Sequence, residues 1–73
     1  MITDDDKKKL DNNFTYHAPI AGQPERYVAL RDRAKNLAYV IMDLCPDSRE
    51  RSLAITKLEE AVFWSNASIA RNE

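Results

Sequence analysis

Apolar residues recur with helical spacing through the middle of the 73-residue chain. The series has alternating intervals of three and four and consists of Tyr27, Leu30, Ala34, Leu37, Ile41 and Leu44. Such intervals place one apolar stripe along an α-helix, in the heptad form that packs against a second helix. Pro24 suits the first turn of this helix, and Pro46 ends it. The pattern predicts a long helix over residues 24–44.

A second apolar stripe follows immediately and consists of Ile55, Leu58, Val62 and Ile69. Ser65 interrupts the stripe with a small side chain, which lets a neighbouring helix approach closely. Asp47 and Glu50 have the spacing of a capping box, which predicts a helix over residues 47–71. Because the connection between the two long helices is short, we expect them to form an antiparallel hairpin.

The N-terminal segment, residues 1–13, is predicted as a short helix or arm. Thr3 can cap a helix whose first turn is acidic, in agreement with the helix dipole. Leu10 is the main apolar residue of the segment, so this helix would fray if it were alone. The whole chain, residues 1–73, is therefore expected to form a single all-α domain.

Apolar residues exceed what one hairpin can bury. Those away from the two stripes are Val28, Tyr39, Met42, Leu53, Phe63, Trp64, Ala67 and Ala70. A chain this short usually needs disulfides, a metal or a partner chain for stability. Cys45 is the only cysteine and His17 the only histidine, so neither a disulfide nor a metal site is expected, and Cys45 is interpreted as a small buried residue. The surplus therefore predicts a symmetric homo-oligomer.

Charge and hydropathy narrow the possible partners. The net charge of −1 argues against binding to DNA or RNA polymers. Residues 24–35 nevertheless carry four basic and two acidic residues, a balance that suits a small anionic ligand. No apolar run is long enough to cross a membrane, and the N-terminus lacks the pattern of a signal peptide. We therefore expect no membrane partner and a cytosolic location.

Catalysis has little support in the sequence. Gly22 is the only glycine, which excludes a glycine-rich phosphate loop. The adjacent acids Glu59 and Glu60 are best interpreted as part of a solvated helix face. The chain is therefore expected not to be an enzyme and to need no cofactor.

Two groups of residues suit ligand binding, and for each a structural role is also open. Phe14, Tyr16 and His17 either pack the N-terminal segment onto the hairpin or stack on bases. Arg31 lies at heptad position e, and Arg26 and Arg33 lie at g, beside the packed stripe. These arginines either pair with Glu59 or Asp43, or hold phosphates.

Arg71 lies near the end of the last predicted helix. It either interacts with the helix dipole or binds an anion. Composition and spacing alone do not decide between the two roles.

Four motifs agree in order and spacing with a known family. They are residues 11–19 (DNNFTYHAP), 23–27 (QPERY), 44–50 (LCPDSRE) and 56–73, which contains TKLEEAVFWSNA and IARNE. They resemble the phage anti-CBASS sponge of the second type, whose hairpin is shared with a sponge that blocks Thoeris defence. The similarity runs from about residue 10 to the end, and the Asp/Lys stretch before it is assigned no role.

The resemblance implies a homohexamer that binds cyclic oligonucleotides without cleaving them. It would act in the cytoplasm of the infected bacterial host and keep second messengers from CBASS effectors. Cyclic dinucleotides would lie between protomers against Tyr16, with His17 beside it, and Arg31. Cyclic trinucleotides would lie near a three-fold axis against Arg71, with a contribution from Arg33. The alternative from a different class is a helical-hairpin inhibitor that covers a host protein.

Overall fold

Three α-helices and no strand make up the chain in the computed structural model, which describes all 73 residues. Helix α1 spans Asp4–Asn13, α2 spans Gln23–Leu44 and α3 spans Arg49–Asn72. The start of α2 contacts the end of α3, and the end of α2 contacts the start of α3, so the two long helices are antiparallel. The predicted all-helical class and the hairpin are confirmed.

Helix α1 begins with the cap expected from the sequence. The hydroxyl of Thr3 accepts a hydrogen bond from the Asp6 amide at 3.1 Å, and the Asp6 carboxylate accepts one from the Thr3 amide at 3.1 Å. This reciprocal pair is a capping box. Two amides that a helix start leaves without partners are thus bonded within the chain itself.

Helix α2 begins at Gln23, one residue earlier than predicted. Gly22 precedes it with a φ of 85°, in the left-handed region that glycine adopts without steric cost. Cys45 leaves the helix with an extended backbone, as expected for a residue that precedes proline. Cys45 is exposed, so the expectation of a buried cysteine is wrong. The turn places its side chain outside the contact between the helices.

Helix α3 begins at Arg49, two residues later than predicted. The N-cap is Ser48, whose hydroxyl accepts from the Arg51 amide at 3.1 Å, so the predicted pairing of Asp47 with Glu50 is wrong. The Asp47 carboxylate instead accepts from the guanidinium of Arg51 at 3.1 Å. Ser48 therefore caps the helix, while Asp47 is bonded to the Arg51 side chain in the turn.

Arg51 also closes the C-terminal end of α2. Its guanidinium donates to the carbonyl oxygens of Met42 and Cys45, both at 3.2 Å. The last carbonyls of a helix have no partners within it, so this arginine supplies donors that α2 lacks. One side chain therefore holds the tight turn of the hairpin.

The two long helices meet along half-buried side chains, most of which are small or aliphatic. In α2 these are Tyr27, Leu30, Ala34, Ala38 and Ile41, and in α3 they include Ile55, Leu58, Val62, Ser65 and Ile69. The predicted stripe of α3 is confirmed. In α2, Leu37 and Leu44 are 48% and 74% exposed, and Ala38 takes the place expected for Leu37. A straight helix has 3.6 residues per turn and drifts from a strict heptad, which moves the contact from position 37 to 38.

The molecule is thin and exposes an unusual amount of surface. Its extents are 49 × 35 × 13 Å, and its radius of gyration is 16.3 Å where about 11 Å is typical of this length. The accessible surface is 6101 Å², against about 4,600 Å² for a compact monomer of this mass. No apolar residue is buried. The hairpin therefore has no buried apolar core of its own.

Apolar residues account for much of that exposed surface. Tyr39, Phe63 and Trp64 are 68%, 65% and 66% exposed, and the smaller apolar residues Val28, Met42 and Leu53 are 43–49% exposed. Leu53 and Trp64 lie three helical turns apart, so they share one face of α3. Exposed apolar patches of this kind mark interfaces between chains.

The open end of the hairpin is fastened by polar contacts around Gln23, the one buried residue of the chain. Its side-chain oxygen accepts from the Ile20 amide at 3.1 Å, and its amide nitrogen donates to Glu73 at 3.3 Å. Both terminal nitrogens of the Arg26 guanidinium donate to the Glu73 carboxylate, Nη1 at 2.7 Å. Glu59 and Asp43, the partners proposed for Arg26 from the sequence, are not involved. Glu73 lies next to Arg26 because the antiparallel hairpin brings the end of α3 to the start of α2.

These contacts change the acidity of both charged groups. Hydrogen bonds from Arg26, and then from Gln23, lower the pKa of Glu73. The hydrogen bond to Glu73 raises the pKa of Arg26. The ionised form of the carboxyl group is therefore favoured in the folded chain.

Helix α1 is joined to the end of α3 by a few hydrogen bonds. The side chain of Asn12 donates to the carbonyl of Arg71 at 2.9 Å, and the Arg71 guanidinium reaches the Asn13 carbonyl at 3.5 Å. The amide of Phe14 closes α1 on Leu10 at 2.9 Å. The N-terminal segment thus lies beside the C-terminal third of α3. None of the three helices is both long and apolar enough to span a membrane.

We predict that the chain forms a discrete oligomer that Trp64→Glu dissociates. The new charge would be placed in the apolar face of α3 and would have to lose its water on association. Light scattering at micromolar concentration measures the mass. Ser52→Glu adds the same charge to an exposed polar position of the same helix and should leave the mass unchanged. A wild-type protein that is monomeric across the concentration range contradicts the prediction.

Glu73→Gln should lower the thermal unfolding midpoint at neutral pH. The carboxyl has a lowered pKa when folded, so its stabilisation is complete above the ordinary glutamate pKa of about 4.3 and is lost as the pH falls through the lowered value. The difference between wild type and variant should therefore disappear in acid. Glu59→Gln removes the same charge from a residue without an ion pair, and should change the midpoint little at any pH.

Candidate functional site

The segment between α1 and α2 lies against the C-terminal third of α3. Tyr16 is 84% exposed, whereas His17 is half-buried. Helix α1 ends at Asn13, and residues 16–20 have no regular structure, with Pro19 favouring an extended backbone at Ala18. The same short stretch therefore presents a phenol ring and an imidazole ring next to the hairpin.

One pocket, which we call the Tyr16 pocket, collects residues from three parts of the chain. Its volume is about 330 Å³, and it is lined by Tyr16, His17 and Pro19 of the connecting segment, Tyr27 and Arg31 of α2, and Asn66, Ala67 and Ala70 of α3. Three residues that the sequence proposed for ligand binding, Tyr16, His17 and Arg31, are thus brought together. The small side chains of Ala67 and Ala70 leave space in the pocket next to α3.

His17 is held in place by a backbone contact. Its Nε2 donates to the carbonyl of Asn12 at 2.8 Å. A carbonyl oxygen can only accept, so this nitrogen carries the proton and Nδ1 is an acceptor in the neutral ring. His17 therefore has a structural role, since it fixes the connecting segment to the end of α1, and it also forms part of the pocket wall.

Arg31 is the cation of the Tyr16 pocket and has no ion pair within the chain. The three ion pairs of the structure join Arg26 with Glu73, Arg51 with Asp47, and Lys57 with Glu60. No carboxylate lines the pocket. The pairing with Glu59 or Asp43 that the sequence left open is absent, and the guanidinium is available to an anion.

Asn66 is a pocket residue that the sequence analysis missed. Its Oδ1 is buried and has no hydrogen-bond partner in the chain, and the side chain lines the Tyr16 pocket. Buried polar atoms are nearly always paired, so an unpaired one calls for a role. The sequence contained one indication of this role. Asn66 lies four residues after Val62, at a position where the apolar stripe of α3 could continue, and it is polar.

Arg71 lies in a second pocket, formed where α1 meets α3. This Arg71 pocket has a volume of about 420 Å³ and is lined by Lys9, Asn12, Asn13, Trp64, Ala67, Ser68, Arg71 and Asn72. Arg71 has no ion pair, and its contact with the Asn13 carbonyl is long, at 3.5 Å. Ala67 lines both pockets, so they are neighbours on the last turns of α3.

Arg33 lies apart from both pockets. It borders a shallow depression with Ala29, Leu30 and Ile69, next to the paired guanidinium of Arg26. Residues 31 and 33 are two positions apart in a helix, so their side chains point in nearly opposite directions. The five proposed binding residues therefore fall into three places, and no single pocket contains them all.

The chemistry available in the two pockets is that of binding. They offer flat rings for stacking, guanidinium groups for phosphate and side-chain amides for base edges. No group of three His, Cys, Asp or Glu side chains is arranged to hold a metal ion.

Comparisons with known proteins agree with the similarity seen in the motifs. The family model described as "Acb2/Tad1, hairpin domain" matches residues 6–70, which include the connecting segment, all of α2, and α3 as far as Ala70. Curated proteins and solved structures gave no match. A match over most of the chain establishes membership, and the sequence resemblance to these anti-defence sponges is confirmed. The chain belongs to the Acb2/Tad1 hairpin-domain family.

Proposed function

We propose that this chain is a phage anti-defence protein that binds cyclic oligonucleotide second messengers and sequesters them. In the cytoplasm of an infected bacterium, it would keep these messengers from the effectors of CBASS defence. Its ligands would be cyclic dinucleotides and cyclic trinucleotides. Family membership supports the general class, and the Tyr16 pocket supports the kind of ligand.

The observation that carries the proposal is the meeting of Tyr16, His17 and the unpaired Arg31 in one pocket. A cyclic dinucleotide has two bases and two phosphates, so it needs both a stacking surface and a cation. The exposed phenol ring of Tyr16 suits a base. The planar fork of Arg31 suits a phosphate, to which it can donate two parallel hydrogen bonds. No carboxylate lines the Tyr16 pocket, and Glu59, which lines an adjoining pocket with Arg31, forms no ion pair with it.

We propose that the working form is a homohexamer in which the pockets lie between chains. A pocket on a molecule only 13 Å thick cannot surround a ligand of this size by itself. A second chain would cover the exposed apolar side chains and close the pocket at the same time. In this arrangement, cyclic dinucleotides bind in the Tyr16 pocket, and cyclic trinucleotides bind where three chains bring their Arg71 side chains together.

Binding without cleavage is the second part of the proposal. Hydrolysis of a phosphodiester by general acid–base catalysis needs a side chain that activates the attacking group and one that protonates the leaving group. The Tyr16 pocket has a single imidazole, and its Nε2 already donates to a backbone carbonyl. The lining lacks a carboxylate that could act as its partner.

A protein inhibitor is the competing function, and the exposed apolar surface favours it. Side chains such as Tyr39 and Trp64 could cover a host protein instead of another copy of the chain. Native mass and thermal shift against a panel of cyclic oligonucleotides separate the two functions. For a sponge, we expect an oligomeric mass and a higher unfolding temperature when such ligands are added. For a protein inhibitor, we expect no change in the unfolding temperature.

We expect Tyr16→Ala to weaken the binding of a cyclic dinucleotide by about 1–3 kcal/mol, the contribution of a base stacked on an aromatic ring. Titration calorimetry provides the measurement. Phe14→Ala is the matched control, because Phe14 is a ring of the same segment, 86% exposed, and does not line the Tyr16 pocket. Equal losses in the two variants would show that the pocket does not bind the base.

A cyclic dinucleotide incubated with the protein should be recovered intact after denaturation. The expected result is one ligand peak of unchanged mass and amount, measured by chromatography with mass spectrometry. The control is the same ligand incubated without protein. Linear nucleotide that increases with time and with protein concentration would show that the chain is an enzyme.

A further inference from the structure

The Arg71 pocket contains a cation to which the sequence analysis assigned no role. Lys9 belongs to the Asp/Lys stretch of α1, within the residues 6–70 that the family model matches, and it lines the pocket together with Arg71. The hydrogen bonds of Asn12 and Asn13 hold α1 against the end of α3 and so bring Lys9 to this place. The two cations come from opposite ends of the chain.

The charge of the pocket is unbalanced. Neither Lys9 nor Arg71 forms an ion pair, and none of the lining residues is acidic. The other polar lining groups are the side chains of Asn12, Asn13, Ser68 and Asn72, which can donate hydrogen bonds. Arg71 also borders an adjoining depression with Glu60, whose carboxylate pairs with Lys57 at 3.4 Å and not with Arg71. Two free cations among neutral donors make a site for an anion.

The indole of Trp64 forms one wall of the same pocket. A ring next to two cations suits a molecule that has a base and a phosphate in close succession. A free inorganic anion would not need this ring. The chemistry of the lining therefore points to a nucleotide.

We propose that Lys9 is a phosphate-binding residue of the Arg71 pocket, and that α1 is thereby part of the site for cyclic trinucleotides. This inference deepens the proposed function and rests on it. A cyclic trinucleotide has three phosphates, so a lysine and an arginine from each chain can contact different phosphate oxygens. The lysine acts as a point charge on a flexible stem, and the arginine gives the fixed fork.

The test compares three variants of neighbouring lysines by titration calorimetry with cyclic triadenylate. Lys9→Gln should weaken binding by at least about tenfold, because one hydrogen bond to a charged group contributes that much and the site loses a lysine from each chain. Lys8→Gln is the matched control, because it removes the same charge from the same helix at a residue outside the pocket. Its affinity should stay within about twofold of wild type, since screening by salt reduces the effect of a distant charge. Lys9→Arg keeps the charge and should keep most of the affinity.

Two sets of controls separate a lost phosphate contact from a loss of structure. Circular dichroism and native mass show whether each variant keeps its helices and assembly, and glutamine is nearly as good a helix former as lysine. Titration with a cyclic dinucleotide should give the same affinity for Lys9→Gln and wild type, because Lys9 lies outside the Tyr16 pocket.

Equal losses in Lys9→Gln and Lys8→Gln, with wild type still binding, would overturn the inference and leave the proposed function standing. A wild-type protein that binds neither cyclic trinucleotides nor cyclic dinucleotides would overturn the proposed function, and this inference with it. A specific loss in Lys9→Gln that Lys9→Arg restores supports both.

Discussion

The contact between α2 and α3 is the interaction on which the rest of the molecule depends. It is a strip of small and aliphatic side chains on two antiparallel helices, and it buries none of them completely. Ala34, Ala38 and Ser65 keep the helices close, so the hairpin is narrow and its thickness is only 13 Å. A structure of one layer has no interior, and each further apolar side chain must lie on a surface. Both pockets therefore lie on the surface as well, where another chain can close them.

The last turns of α3 combine the packing and the binding surfaces. Ala67 lies between the two pockets, Asn66 lines one of them and Ser68 lines the other. Small residues at these positions allow the connecting segment on one side and α1 on the other to lie against the helix. The Oδ1 of Asn66 is buried without a partner in the chain, so it is an acceptor open to a group from outside the chain.

The sequence predicted the helices well because their signals are local. The stripe of α3, the cap at Thr3 and the stop at Pro46 depend on residues within a few turns of one another. The errors have a different origin. Ser48, and not Asp47, caps α3, because Arg51 binds the Asp47 carboxylate. Arg26, near the start of α2, pairs with Glu73, which follows the end of α3. Contacts between residues so far apart in sequence depend on the hairpin itself, as does the burial of the Asn66 Oδ1 atom. The same holds for the site, where spacing proposed Tyr16, Arg31 and Arg71 but could not divide them between pockets or bring Lys9 to Arg71.

The pairing of charges explains how a chain with a net charge of −1 can present binding sites for anions. Arg26, Arg51 and Lys57 are matched with carboxylates, and two of these pairs fasten the ends of the hairpin. The three acids at the start of α1 lie in its first turn, where the helix dipole stabilises them, and none of them lines either pocket. The cations that remain unpaired in the pockets are Lys9, Arg31 and Arg71. Because the field near a group depends on its immediate neighbours more than on the total charge, these residues can attract phosphate even though the molecule as a whole repels it weakly. The structural ion pairs thus determine which cations are left for a ligand, and three unpaired cations are few compared with the many phosphate contacts that a long polyanion needs.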